Sequence, residues 1–511
     1  MNAPESIPVI AEAACGKLEG SRREGICAFK GIPFATARRW SVPERVAPWA
    51  GVRAARTAGY VAPQNPTAVA ALIGGAKGEP TQSEDCLSLN VWTPACDSAK
   101  RPVMVWIHGG AFINGTGSVP LYSGLPLSQA GNVVVVTINY RLGSFGFLRL
   151  ADVTGGRVAS GESEGLLDQI AALEWVRDNI AAFGGDAGNV TIFGESAGGM
   201  SVGALLGSTK ARGLFHKAIS QSGGAHIGHA PDHASKIADV FLHHLGVKAN
   251  DPAALFAAPI PALLSAQLAL LGEVDGQHDP HKLGSMAFRP VIDGAVLTGT
   301  PIDAVRDGAS RGVPLLAGTT TEEWKLYTAM DTAAHAMDES KLHRWAERMF
   351  GAAAPALLAA DADGTPYERF VSMQTDRVFR EPTLRMLAAQ AKHAPVFEYV
   401  FDWRSPAMGG AFGACHALEL GFVFGSYRLK GPDMFFGSGP QADAISQAMI
   451  EAWTSFAHTG TPRASNLEAW PPWSSTSPAA MVFGADSRAG HMSRFELPHA
   501  WAAVPDALVG P

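Results

Sequence analysis

The chain has 511 residues, 47% apolar and 17% charged, with a formal net charge of -7. That length allows a large buried core, and the charge is spread without a basic block, which argues against a nucleic-acid footprint. No apolar run reaches the roughly 18 residues of a membrane span, so neither nucleic acid nor membrane is expected as a partner.

The opening residues, MNAPESIPVIAEAAC, lack a basic segment followed by an apolar one, and no secretory leader is expected. Five cysteines (Cys15, Cys27, Cys86, Cys96 and Cys415) are scattered and odd in number, which is neither a disulfide framework nor zinc-ligand spacing. A cytoplasmic protein without cofactor or metal is expected. The sequons at Asn114 and Asn189 fall inside catalytic scaffold and read as chance.

Taken in chain order, Val103–Ile107 (VMVWI) reads as a buried strand running into His108-Gly109-Gly110-Ala111-Phe112. The run VVVVTI from Val133 is the next strand and leads to Asn139. Leu166, Ile170, Leu173, Val176 and Ile180 recur at helical spacing, and the helix should end at Gly184, where glycine can take the left-handed cap conformation. Val190–Phe193 (VTIF) is a strand followed by Gly194-Glu195-Ser196-Ala197-Gly198-Gly199. Further strands are expected at Ala218–Ser220, Pro314–Ala317 and Val396–Phe401.

Strands alternating with helices predict an α/β protein with a mainly parallel sheet covered on both faces, its chemistry at the carboxyl ends of the strands. Residues 1–511 read as one domain without repeats. Two stretches, about 224–287 and 327–394, read as helices and loops inserted over the sheet to wall and gate a pocket.

Gly194-Glu195-Ser196-Ala197-Gly198 fits the G-x-S-x-G nucleophile elbow, in which small residues two positions either side of the serine allow a sharp strand-to-helix turn. Acyl transfer also needs N–H donors aimed at the developing oxyanion. The N–H of Ala197 and the His108–Phe112 turn, where Gly109 and Gly110 let the backbone approach closely, are the candidates. The serine needs a histidine base, and the base needs a carboxylate, in the chain order Ser, acid, His. Of His335, His343, His393, His416, His458, His491 and His499, only His416 follows a strong strand across a glycine-rich loop (GGAFGACH). The acid lies in the loop after Pro314–Ala317, where pattern alone does not choose between Glu322 and Glu323.

At this point the chain resembles the type-B carboxylesterase family, the cholinesterase-like branch of the α/β-hydrolases, and among its members the bacterial p-nitrobenzyl esterases. The resemblance runs from Gly31-Ile-Pro-Phe-Ala35 to Trp470-Pro-Pro-Trp473. It includes both long signatures, Glu84-Asp-Cys-Leu-Ser-Leu-Asn-Val-Trp-Thr-Pro94 and the segment from Phe183 through Gly198. It implies an α/β-hydrolase fold and a serine carboxylesterase acting on small-molecule esters. Ser196 is implied as nucleophile, His416 as base and Glu323 as the orienting acid, with oxyanion donors from Gly110, Ala111 and Ala197. Glu195 and Glu419 resemble the family's buried carboxylates, and Arg39 with Glu84 its structural ion pair.

Five departures stand out. Trp324 occupies the place of the glycine usual after the acid, so the loop is expected to differ there. Ser88 replaces a common tyrosine, and Ala111 a frequent third glycine. Cys86 aligns with a cysteine that secreted relatives bridge upstream, but no cysteine lies between Cys27 and Cys86, so no bridge is expected. The stretch AKGEPTQS before Glu84 lacks the tryptophan with which cholinesterases hold choline, which argues against that activity. The rival readings are an amide, carbamate or thioester hydrolase with the same triad, a true lipase, or a catalytically dead binding protein of the same fold. The oligomeric state, monomer or homodimer, is left open.

Overall fold

The computed structural model describes residues 7–67, 81–161, 163–275, 285–490 and 499–511. Fifteen strands occur among them. These are β1 (Ile7–Ala13), β2 (Gly16–Arg23), β3 (Ile26–Pro33), β4 (Ala35–Thr36), β5 (Glu44–Arg45), β6 (Val52–Ala54), β7 (Ser88–Thr93) and β8 (Arg101–Ile107). The remainder are β9 (Val134–Ile138), β10 (Gly185–Glu195), β11 (Lys217–Gln221), β12 (Leu315–Thr320), β13 (Val396–Phe401), β14 (Ala480–Phe483) and β15 (Arg488–Gly490).

Among the described residues, thirteen strands form one sheet in the order β1-β2-β3-β7-β9-β8-β10-β11-β12-β13-β14-β15, with β6 beside β2. The run from β9 to β14 is parallel throughout. The β1-β2-β3-β7-β9 flank and the β14/β15 edge are antiparallel. The fold is that of an α/β hydrolase. Its parallel middle matches the alternation read in the sequence. The amino-terminal antiparallel flank is an addition, edged by β1 and β2, half-exposed strands whose patterns carry no long apolar run.

The central strands are β-branched and buried on both faces, as a doubly covered sheet requires. On β8, Val103, Val105 and Ile107 point to one core cluster, and Met104 and Trp106 to the other. That alternation is the two-residue period of the strand. One face is covered by α1 (Glu164–Asn179) and α2 (Ala197–Gly207). The sequence places the end of α1 at Gly184. The helix closes at Asn179, a short 3-10 turn continues to Phe183, and Gly184 then takes φ +72°.

The stretch between β11 and β12 carries α3 (Pro231–Leu245) and α4 (Ile260–Asp275). Between β12 and β13 come α5 (Glu339–Phe350), α6 (Pro366–Thr375) and α7 (Glu381–Gln390). A π-helical turn, Asp376–Arg380, joins α6 to α7. Pro382 has no N–H to give and crowds the preceding turn, so the α-helical ladder is widened here. The last long helix, α8 (Pro440–Thr459), covers the second face through Met449, Trp453 and Phe456. Among the described residues, no helix is long and apolar enough to cross a membrane.

Candidate active site

Three loops at the carboxyl ends of β10, β12 and β13 bring the predicted residues together. The turn after β10 puts Ser196 at φ 57°, ψ -125°, a conformation that L-residues rarely adopt. Its N–H donates to the carbonyl of Gln221 at 2.9 Å, and its carbonyl accepts from Met200 N–H at 2.8 Å, so the strained residue is tied on both sides. Gly198 shows why the elbow needs small residues. A Cβ there would lie 2.0 Å from the carbonyl oxygen of Ile107.

His416 is buried and held through Nδ1. Nδ1 lies 2.6 Å from Glu323 Oε2, and since a carboxylate accepts, Nδ1 carries the proton. Nε2 faces the elbow, 3.1 Å from Glu195 Oε1, but off the line of a hydrogen bond, so that oxygen is left without a hydrogen-bond partner. Glu323 is fully buried. Its other oxygen accepts from the N–H of Thr320 at 2.7 Å and from Ser222 Oγ at 2.6 Å. The carboxylate is therefore fixed from three directions.

The neighbouring Glu322 does a different job. It pairs with Lys325 at 2.6 Å and accepts from the N–H of Ala414 at 2.9 Å, while its own N–H donates to the Ala414 carbonyl at 2.9 Å. It braces the loop that delivers His416. Geometry thus separates two carboxylates that pattern left equivalent. Trp324 adopts φ -68°, ψ -13° and opens a helical turn, a conformation that needs no glycine. Its ring packs 4.9 Å from Tyr327 and 6.4 Å from Phe379.

The electrostatics are those of a buried charge cluster. Burial works to lower the His416 pKa, but the carboxylates of Glu195 and Glu323 outweigh it and hold it at about 9. Glu195 is pushed up, chiefly by burial and partly by Glu419, against the pull of His416. Glu419 is also raised by burial, and by the charge of Glu323. A proton on Glu195 removes the anion that keeps His416 charged, so these groups titrate as one unit.

The turn after β8 lies against the elbow. A Cβ on Gly109 would sit 2.6 Å from the Glu195 carbonyl oxygen and 3.0 Å from Ser196 Cβ. Gly110 has φ +112°, and Ala111 and Phe112 follow at +53° and +60°. Among the described residues, no hydrogen bond draws on the N–H of Gly110, Ala111 or Ala197. Those donors are free for a ligand oxygen. His108, beside them, is stacked on Tyr140 at 4.4 Å, and burial lowers its pKa to about 4.

Reasoning from sequence missed the carboxyl end of β11. Ser222 supports Glu323, while Gln221 donates to Glu419 at 3.0 Å and accepts from Trp453 Nε1 at 3.1 Å. The signal was present: Gln221-Ser222-Gly223-Gly224 is a polar, glycine-rich turn at a strand's carboxyl end, like those that marked the other groups. Phe379 and Tyr327, whose rings lie 4.5 and 5.8 Å from that of His416, had no such signal.

Other predicted features lie apart. His335, His393 and His458 each spend Nε2 on a backbone carbonyl, of Ala329, Arg306 and Gly131. Arg39 Nε meets both oxygens of Glu84, at 3.1 and 3.0 Å, away from the reacting groups. All five cysteines are unbridged. His491 and most of the AKGEPTQS stretch lie outside the described residues.

The profile of the carboxylesterase family matches residues 8–497. Para-nitrobenzyl esterase of Bacillus subtilis (strain 168) is 38% identical over 466 residues, covering 89% of this chain and 91% of that protein. Phenmedipham hydrolase of Pseudarthrobacter oxydans is 34% identical over 485 residues, with 93% and 95% covered. Among solved structures, the Geobacillus stearothermophilus carboxylesterase EST55 at pH 6.2 superposes with a TM-score of 0.83 at 40% identity, over 94% of this chain and 97% of that one.

Proposed function

Since the chain belongs to the carboxylesterase family and is a carboxylic-ester hydrolase of the serine type, we propose that its acyl-enzyme forms on Ser196, with His416 as general base and Glu323 orienting it. The observation that carries this reading is the 2.6 Å contact between His416 Nδ1 and a fully buried Glu323, with Nε2 turned to the elbow. Glu323 fixes the tautomer and stabilises the imidazolium that forms when Ser196 attacks. His416 then returns the proton to the leaving alcohol, and water repeats the cycle on the acyl-enzyme. Gly110, Ala111 and Ala197 supply the oxyanion donors, since their N–H groups are free, Ala197 follows Ser196 directly, and Gly109, next to Gly110, lies against Ser196 Cβ. Glu195 and Glu419 set the charge around His416, and Gly109 lets the donor turn approach.

Residues 1–511 act as a single domain in this reading. The insertions at about 224–287 and 327–394 wall and gate the pocket, and Tyr327 and Phe379, both from the second insertion, support this by flanking His416. The substrate is a small ester, and para-nitrobenzyl esterase activity in a relative points to aromatic groups among those admitted. Neither nucleic acid nor membrane takes part, and the setting is cytoplasmic, a reading supported by five unbridged thiols.

The test is hydrolysis of p-nitrophenyl esters from acetyl to dodecanoyl by wild type and Ser196→Ala. A burst in the wild type, and a loss of about a millionfold in kcat in the variant, are expected. Retained activity in Ser196→Ala would refute the assignment.

A further inference from the structure

Gln221 is the last residue of β11 and is fully buried. It lies in register with Glu195 on β10, and its main-chain carbonyl is the acceptor that holds the Ser196 N–H at 2.9 Å. Its side chain has two further partners. Trp453 Nε1 on α8 donates to Gln221 Oε1 at 3.1 Å, and Gln221 Nε2 donates to Glu419 Oε1 at 3.0 Å. Trp453 and Glu419 are fully buried as well. Glu419 follows His416 by three residues in the same loop. One glutamine therefore joins the nucleophile turn, the histidine loop and α8.

These bonds have a chemical direction. An indole N–H can only donate, so Trp453 takes the oxygen end of the amide and turns the NH2 end to Glu419. A donor aimed at a carboxyl group favours its ionised form, because a bond to charge is stronger than one to a neutral oxygen. Reversed, the amide would present an oxygen, which Glu419 could meet only as the protonated acid. The Trp453 ring is itself held, 5.2 Å from that of Tyr399 and 6.1 Å from that of Phe483. Burial and the charge of Glu323 raise Glu419 to about 7, against the pull of the Gln221 N–H and of His416. Glu195, Cys415, Tyr122 and Tyr399 also face Glu419. Burial pushes the thiol and both phenols up, so the anions that His416 meets are Glu195, Glu323 and Glu419.

We propose that Gln221, oriented by Trp453, is a positioning residue for ester hydrolysis: it keeps Glu419 ionised beside His416 and so sets the pH at which the histidine becomes a base. This rests on His416 being the base that serves Ser196. Without the amide donor, Glu419 takes up a proton more readily and one anion is lost from around the imidazolium. His416 then gives up its proton at lower pH. The helix that carries Trp453 thereby acts on the chemistry through two hydrogen bonds.

The test compares the full-length wild type with Gln221→Met, which keeps the length and loses both bonds, and Trp453→Phe, which keeps a ring and loses the N–H. Two readouts are followed against pH. One is kcat/KM on p-nitrophenyl acetate, and the other is the downfield proton NMR signal of His416 Nδ1–H, which needs no turnover. In Gln221→Met the kinetic limb and the NMR titration should both move down by about half a pH unit, and in Trp453→Phe by less. In a Glu419→Gln background, Gln221→Met should add no further shift. Should Gln221→Met not fold, Trp453→Phe carries the same test. A titration that stays put in the folded single variants would overturn the proposal, and so would a shift that persists in the Glu419→Gln background. An NMR titration that moves while the kinetic limb stays would uphold the hold of Gln221 on His416 and refute His416 as the base, so the two readings fail separately.

Discussion

Two helices of this molecule are built on opposite principles. In α2, which starts after Ser196, all eleven residues are buried, four are glycine and no side chain caps the amino end. In α5, within the second insertion, Asp338 caps the first turn by accepting from Lys341 N–H at 2.8 Å, and Glu339 meets Arg369 at 3.0 Å. Only Leu342, Ala346 and Phe350 of α5 are buried, at four-residue spacing. Glycine is a poor helix former, by about 1 kcal/mol relative to alanine. Thus α2 gives up local stability to lie directly on the sheet, whereas α5 carries its own signals and contacts the rest along one stripe. Position is what the first helix supplies, because the nucleophile turn hangs from it.

The largest expected effect tests the loops that α2 serves. Glu323→Gln should leave the fold intact by circular dichroism and lower kcat on p-nitrophenyl acetate by about 10,000-fold, because His416 loses the acceptor that fixes its tautomer. A loss below 10-fold would remove Glu323 from its proposed role. Next comes the packing of α2 itself. Gly198→Ala raises helix propensity, yet it drives a methyl into the Ile107 carbonyl. It should destabilise by about 3 kcal/mol, measured by urea unfolding. Stabilisation instead would mean that propensity outweighs packing here.

A smaller, directional effect sharpens the electrostatic side. His416 must be neutral to take the serine proton, so kcat/KM rises as pH increases through its pKa, which the buried carboxylates hold at about 9. Glu195→Gln removes an anion that stabilises the imidazolium. The rising limb of the pH profile should move to lower pH, toward the ordinary histidine value of about 6.5. A limb that stays would mean that Glu195 is already neutral when His416 titrates, and one that moves up would overturn its proposed effect on His416. The smallest effect belongs to α5. Asp338→Ala should cost about 1 kcal/mol of stability through the lost cap and leave kcat unchanged.

How much of this was legible beforehand follows the same division. The parallel strands β8 to β13 were readable because burial on both faces demands continuous apolar runs, whereas the four-residue β14 was missed. Ser196 and His416 were readable because each sits in a glycine-rich turn after such a run. The edge strands β1 and β2 were not, since strands with one wet face and no apolar run look like loops.

The sequence by itself determined the fold class, the elbow and the histidine, because strained turns admit few residue types. Residue pattern left two adjacent glutamates open and the family resemblance implied Glu323, but only the tertiary structure gives the contact with His416 and its cause. Glu322 and Glu323 share a loop and a chemistry, but one faces Lys325 and Ala414 while the other is sealed among Thr320, Ser222 and His416. It also decided that Phe379, set by a π-helical turn, lies against the histidine. Both are matters of direction in space, which adjacency along a chain does not encode.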